Sequence, residues 1–206
     1  MTTLHRAVFI DRDGTLIKER GYITSIRQVR FFQGTASALN RLRKAGYKLV
    51  IVTNQAGIAR GLLTEKILRR INNYILGKFR RQGVIFSRVY YCPHHPEGTI
   101  AKYRRHCRCR KPSPGMLLQA RRDLHINLKQ SFVIGDARRD LLCGKKVGAK
   151  SILVLTGQGR KTTPTLPART AVRSGGRRGE KKLADFIAPN LNIASKWIIN
   201  RNYLDV

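Results

Sequence analysis

Residues 7–15 restrict this chain most: Ala7-Val-Phe-Ile-Asp11-Arg-Asp13-Gly14-Thr15. Four consecutive apolar residues suit the middle of a parallel sheet covered on both faces, where a strand has no polar side to show. The run stops at Asp11, skips one residue and shows a second acid at Asp13, with Gly14 permitting a sharp turn. Ligands of open α/β sheets sit where strands end, so two carboxylates at a strand terminus are placed for chemistry. Asp and Gly are also ordinary turn residues, and the rest of the chain separates the two readings.

Beyond this strand, apolar runs alternate with helical stretches. Tyr47–Val52, Arg88–Tyr91, Ser131–Ile134 and Ser151–Leu155 read as strands. Helices are expected from about Ala36 to Lys44 with Gly46 as C′, from the N-cap Thr64 to Gln82 before Gly83, and within 112–125 entered through Pro114. Two more follow, one after Asp136 through Val147 and one around Ile193–Ile199. The alternation predicts an α/β fold, a three-layer Rossmann-like domain with a central parallel sheet, occupying residues 1–206 as one unit. Residues 157–182, rich in Gly, Pro, Thr, Ser and Arg, read as a basic flexible insertion.

Three further stretches carry chemistry. Thr53, at the end of the second strand, offers a hydroxyl and backbone N–H groups that suit phosphate oxygens. Arg110-Lys111-Pro112 offers two cations before a helix, able to offset charge on phosphoryl oxygens. Gly135-Asp136 follows the fourth strand, and Asp136 with Asp11 and the Asp13 backbone carbonyl would make an oxygen-rich Mg²⁺ site, with Asp140 supporting it. A cysteine cluster completes the set: Cys92-Pro-His94-His95, then Cys107-Arg-Cys109. Clustered thiols in a cytosolic chain favour a metal over a disulfide, and three of them with one imidazole make a closed structural Zn²⁺ set. His94, His95 and His106 all compete for the fourth place, while Cys143 reads as a core residue.

The D-x-D-G-T pattern of residues 11–15 resembles the haloacid dehalogenase-like phosphohydrolases. The resemblance implies Asp11 as nucleophile, Asp13 as general acid/base, and Thr53 and Lys111 as stabilisers of the phosphoryl group. The residue types fit the task. A carboxylate nucleophile divides a very slow displacement into two easier steps, and a second carboxyl protonates the leaving oxygen and then activates water.

Two branches of that superfamily carry such a zinc loop, the histidinol-phosphatases and the D-glycero-D-manno-heptose 1,7-bisphosphate 7-phosphatases. The stretches 53–61, 90–96 and 107–116 look like the heptose family, and the resemblance covers about residues 7–157. It implies hydrolysis of the 7-phosphate through an aspartyl phosphate, in nucleotide-heptose synthesis for lipopolysaccharide or surface glycans. It also implies no large cap domain, His94 as the zinc ligand beside Cys92, Cys107 and Cys109, and Mg²⁺ on Asp11, Asp13 and Asp136. Substrate contacts are then expected from Arg12, Glu19, Arg20, Gly21, Tyr22, Asn54, Gln55, Ala56 and Arg110. Where the family often has a lysine after the metal-binding acid this chain has Ala137, so one phosphate contact is expected either to be lost or to be supplied by Arg138.

Charge is the feature that fits least. Of 206 residues 42 are Lys or Arg and 11 Asp or Glu, a formal net charge of +31. Such an excess favours anionic partners. The basic residues are scattered rather than gathered in one tract, so non-specific adhesion to nucleic acid is expected and specific binding is not. No apolar run reaches eighteen residues, which argues against a membrane helix, and the first strand begins too early for a signal peptide, so a cytoplasmic monomer acting on a small sugar phosphate is expected. Histidinol-phosphate hydrolysis and nucleic-acid binding on a phosphatase scaffold are the alternatives.

Overall fold

The computed structural model describes residues 4–162 and 183–202. Six parallel strands, β1 (Ala7–Ile10), β2 (Lys48–Asn54), β3 (Arg88–Cys92), β4 (Phe132–Gly135), β5 (Lys150–Val154) and β6 (Phe186–Ala188), form one sheet in the order β3-β2-β1-β4-β5-β6. The helices are α1 (Thr35–Lys44), α2 (Glu65–Arg80), α3 (Gly115–Leu124), α4 (Arg138–Lys145), the single turn α5 (Gly159–Thr162) and α6 (Leu191–Asn202). No described helix is long and apolar enough to cross a membrane.

β1 lies at the centre, paired with β2 through Val8↔Leu49 and with β4 through Val8↔Phe132. Its side chains alternate between two cores, as the pleat requires. Val8 and Ile10 pack with Leu39, Ile71 and Ile198 from α1, α2 and α6. Ala7 and Phe9 face the opposite way, toward Met116 and Leu117 of α3. An all-apolar strand is therefore stable here because neither face meets water, and the expected three layers follow.

Local signals set the helices. The Thr64 hydroxyl accepts from the Ile67 N–H at 3.2 Å, and Leu68, Ile71, Ile75 and Phe79 then fall on the buried stripe of α2. Gly83 turns the chain out of this helix with φ +76°.

The structure departs from the expectations in three places. β2 runs two residues further, because Thr53 and Asn54 pair with Tyr91 and Cys92 of β3. β6 was not expected: three residues are too few to show a period, and the strand exists because β5 offers an edge and Trp197 of α6 stacks on Phe186 at 4.8 Å. Residues 157–162, expected to open the basic insertion, instead fold into α5 and the turn before it. Residues 163–182, the remainder of that expected insertion, lie outside the described residues.

Candidate active site

The strand order reverses between β1 and β4, since β2 and β3 continue to one side of β1 and β5 and β6 to the other side of β4. A crevice opens beyond the carboxyl ends of strands at such a point. Here it is a cavity of about 320 Å³. Asp11 leaves β1 into it, Thr53, the last residue but one of β2, lines it, and Asp136, fully buried, follows β4.

Lys111 ties these ends together. Buried at 2 % exposure, its ammonium donates to Val52 O at 2.8 Å and lies 2.9 Å from Asp11 Oδ1 and 2.6 Å from Asp140 Oδ1. Burial works against its charge, but Asp11 and Asp140 outweigh burial and raise its pKa. The Asn54 side chain holds the lysine backbone from both sides, accepting from Lys111 N–H at 3.0 Å and donating to Lys111 O at 3.1 Å. The last residue of β2 thus fixes the backbone position of Lys111.

Asp13 is aimed by donors. The Arg12 guanidinium gives it Nε and Nη2, each at 3.0 Å, and Gln55 Nε2 adds a bond at 2.9 Å. The remaining Arg12 arm donates to Asn72 Oδ1 of α2 at 2.9 Å, and the side chain is 1 % exposed. Arg12, expected to touch substrate, lines the cavity and at the same time orients Asp13. The Thr53 hydroxyl donates to Asp13 at 3.4 Å and accepts from Gln55 at 2.9 Å.

Three carboxylates, Asp11, Asp136 and Asp140, have oxygens within 4.8 Å of one another, and all three are buried. Burial and then the charge of Asp11 raise the Asp136 carboxyl to about 8. Asp140 is raised too, by burial first, against the pull of Lys111. Asp136 Oδ2 accepts from Gln158 N–H at 2.7 Å, whereas Oδ1 has no partner among the described residues. A buried carboxylate oxygen left in that state costs free energy that a cation would recover. Gly14 (φ +81°) and Gly157 (φ +53°) crowd Asp136, and a Cβ on either would overlap its Oδ2. The donor set and this tight fit suit a small oxygen-liganded divalent ion.

Of the residues expected to contact substrate, Arg12, Glu19, Gly21, Tyr22, Asn54, Gln55, Ala56 and Arg110 line the cavity, while Arg20 is exposed and does not. Burial, then Asp13, raises the pKa of Glu19. Arg138, expected to replace the absent lysine, is also exposed and outside the lining. Arg139, the next residue, lines the cavity, as does Gln158. Sequence reading missed both. For Arg139 a signal existed: in a helix opening just after Asp136, the residues three and four on return to the same side.

The second cluster stands at the end of β3. The sulfurs of Cys92, Cys107 and Cys109 lie 3.2–3.4 Å apart, and His94 Nδ1 lies 3.4 Å from Cys109 Sγ and 3.8 Å from Cys92 Sγ. A disulfide needs about 2.05 Å. Zinc–sulfur bonds of about 2.3 Å imply tetrahedron edges of roughly 3.8 Å, so the four atoms suit zinc with slight expansion. The thiol hydrogen bond from Cys92, against burial and helped by Cys107 and His94, pushes Cys109 down to about 5, while Cys92 is raised. His94 is the imidazole in this group; His95 Nδ1 instead accepts from Glu97 N–H at 3.1 Å. Arg110 Nη1 donates to His94 O at 3.2 Å, and Gln55 N–H to Cys92 O at 2.7 Å, so the loop bears on the cavity wall. Glu65 of α2 braces it, accepting from Tyr91 and Tyr103 hydroxyls at 2.7 Å each.

Comparison with known proteins agrees with this geometry. The haloacid dehalogenase-like hydrolase family matches residues 18–148, and a HAD-hydrolase-like family matches 108–191. The D-glycero-beta-D-manno-heptose-1,7-bisphosphate 7-phosphatase of Photorhabdus laumondii is 42% identical over 170 residues, covering 82% of this chain and 90% of the relative. The enzyme of that name from Pasteurella multocida is 44% identical, over 75% of this chain and 84% of its own. Among solved structures, the D,D-heptose 1,7-bisphosphate phosphatase of B. bronchiseptica, complexed with magnesium and phosphate, is 27% identical with a TM-score of 0.77 over 95% of this chain and 99% of that one.

Proposed function

The chain belongs to the haloacid dehalogenase-like hydrolases and is a phosphoric monoester hydrolase, and on that premise we propose that it removes the 7-phosphate of D-glycero-D-manno-heptose 1,7-bisphosphate. The observation that carries the reading is the convergence of Asp11, Asp13, Lys111 and Asp136, from three separate stretches, beside one cavity whose wall holds Arg110. The relatives named above supply the sugar, and their curated name specifies the β anomer.

In this reading the Asp11 carboxylate attacks phosphorus and the bond to the sugar oxygen breaks. Asp13, aimed by Arg12 and Gln55, protonates that oxygen and later takes a proton from the water that cleaves the aspartyl phosphate. Lys111 and Thr53 offset charge on the phosphoryl oxygens. Asp11, Asp136 and the Asp13 carbonyl would hold Mg²⁺, which as a Lewis acid offsets further negative charge when bound. Cys92, His94, Cys107 and Cys109 would hold Zn²⁺ as a staple, because four protein donors leave it no open position. Unpaired thiols suit a reducing compartment, and we place the enzyme in the cytoplasm.

The test is phosphate release with Mg²⁺ on both heptose bisphosphate anomers, histidinol phosphate and simple sugar phosphates, for wild type and Asp11→Asn. Preference for the β bisphosphate is expected, with turnover reduced at least ~1,000-fold in the variant while zinc content and fold persist. Faster release from histidinol phosphate would overturn the substrate, and an active Asp11→Asn would overturn the nucleophile.

A further inference from the structure

One cation at the cavity has no part in the reaction as written. Arg139, in the first turn of α4, lines the cavity with Asp11, Asp13, Glu19 and Arg110. It is half-buried, unlike its exposed neighbour Arg138. Among the described residues it makes no hydrogen bond and no ion pair.

The other cations here are occupied. Lys111 sits among Val52 O, Asp11 and Asp140, which matches its three donors. Arg12 is taken by Asp13 and Asn72, and Arg110 leans on His94 O. A guanidinium carries five donors, and shielding it from water without partners costs free energy. Burial opposes the charge of Arg139, and Asp140, Asp11, Asp136 and Glu19 support it without bonding to it. The site therefore keeps one charged, undirected fork beside its nucleophile. Phosphoryl oxygens match that fork, accepting two parallel N–H bonds.

We propose that Arg139 is a phosphate-binding residue whose guanidinium takes oxygens of the group that Asp11 attacks, and holds the inorganic phosphate formed afterwards. Its place favours the transferring group over the distal phosphate. Arg139 stands next in sequence to Asp140, which pairs with Lys111 behind the nucleophile, whereas Arg110 stands on the zinc-loop wall. The inference rests on the cavity accepting a phosphate ester, and not on which sugar bears it.

The experiment titrates inorganic phosphate calorimetrically into the Mg²⁺- and Zn²⁺-loaded protein, comparing wild type, Arg139→Ala, Arg139→Lys and Arg138→Ala, with steady-state kinetics on a sugar monophosphate and a sugar bisphosphate. Arg139→Ala is expected to weaken phosphate about tenfold or more, the size of a lost charged hydrogen bond. Arg139→Lys should recover part of this, and Arg138→Ala should match wild type. KM should rise by the same factor on both substrates, because both present the transferring group. Unchanged phosphate affinity in a folded, zinc-loaded Arg139→Ala overturns the proposal, as does a KM effect confined to the bisphosphate. Should Arg139→Ala not fold, Arg139→Gln against Arg139→Lys decides: weaker binding by Gln supports the role and equality overturns it. A wild type that neither binds phosphate nor hydrolyses any ester would sink the phosphatase reading itself, whereas a wild type active on another sugar leaves this test intact.

Discussion

The carboxylate cluster and the cysteine–histidine cluster both crowd polar groups together, yet they are assembled in opposite ways. Asp11 comes from a part of the chain distant from Asp136 and Asp140, and the three meet buried and repel one another. The strand ends, the Lys111 ammonium and the backbone N–H groups of Arg12, Ala137 and Gln158 hold them close, and one Asp136 oxygen has no partner among the described residues. Cys92, His94, Cys107 and Cys109 come from a single eighteen-residue stretch, Cys92 buried and the other three partly exposed. The first cluster faces a cavity and keeps room for a reacting group, while the second closes on itself and steadies a wall. Like charges held together by a whole sheet suit turnover; soft donors gathered by one loop suit a staple.

Removing the cation that binds the first cluster should break the contrast most sharply. Lys111→Ala leaves Asp11 and Asp140 buried without a counter-charge, so urea unfolding should show a loss of about 3–5 kcal/mol. Phosphate release should fall at least ~100-fold alongside it. A variant within about 1 kcal/mol of wild type would show that the carboxylates share their charge elsewhere.

Metal removal tests the other side. Chelation followed by Mg²⁺ replacement, or Cys109→Ser, should free Arg110 from the His94 carbonyl and raise KM about tenfold while kcat changes less. Equal losses in kcat would tie the loop to chemistry rather than to substrate placement.

The smallest effect belongs to the brace between α2 and the zinc loop. Glu65→Gln should cost about 1 kcal/mol at neutral pH, read by thermal or urea unfolding. The hydroxyls of Tyr91 and then Tyr103 hold this carboxyl below its ordinary value of 4.5. A lowered folded pKa means the contribution is complete above that value and fades as pH falls through the folded one. The stability gap between wild type and variant should therefore close in acid; a gap that widens there would contradict the assignment.

Much of this was legible beforehand because the signals were local. The apolar run into Asp11 marked the central strand, Thr64 and Gly83 bracketed α2, and the cysteine spacing marked the zinc loop. β6 was invisible because its three residues pair only where β5 leaves an edge. The turn at 157–162 looked like linker by composition, yet Gly157 is needed to pass Gly14 and Gln158 to cap Asp136. Arg138 looked like a phosphate contact, yet it is exposed and Arg139 lines the cavity, because a sequence shows which residues neighbour a motif and not which way they turn.

What the amino-acid order determined on its own was five of the six strands, the acids that follow them and the four soft donors within one loop, since each depends on residues close in the chain. What the tertiary structure alone decided was which side chains face one another across the switch point: Lys111 between Asp11 and Asp140, Arg12 turned onto Asp13, Arg139 unpaired at the cavity. Those pairings depend on sheet order and helix phase, and they arise only when β1, β2 and β4 lie side by side and bring distant charges into one low-dielectric space.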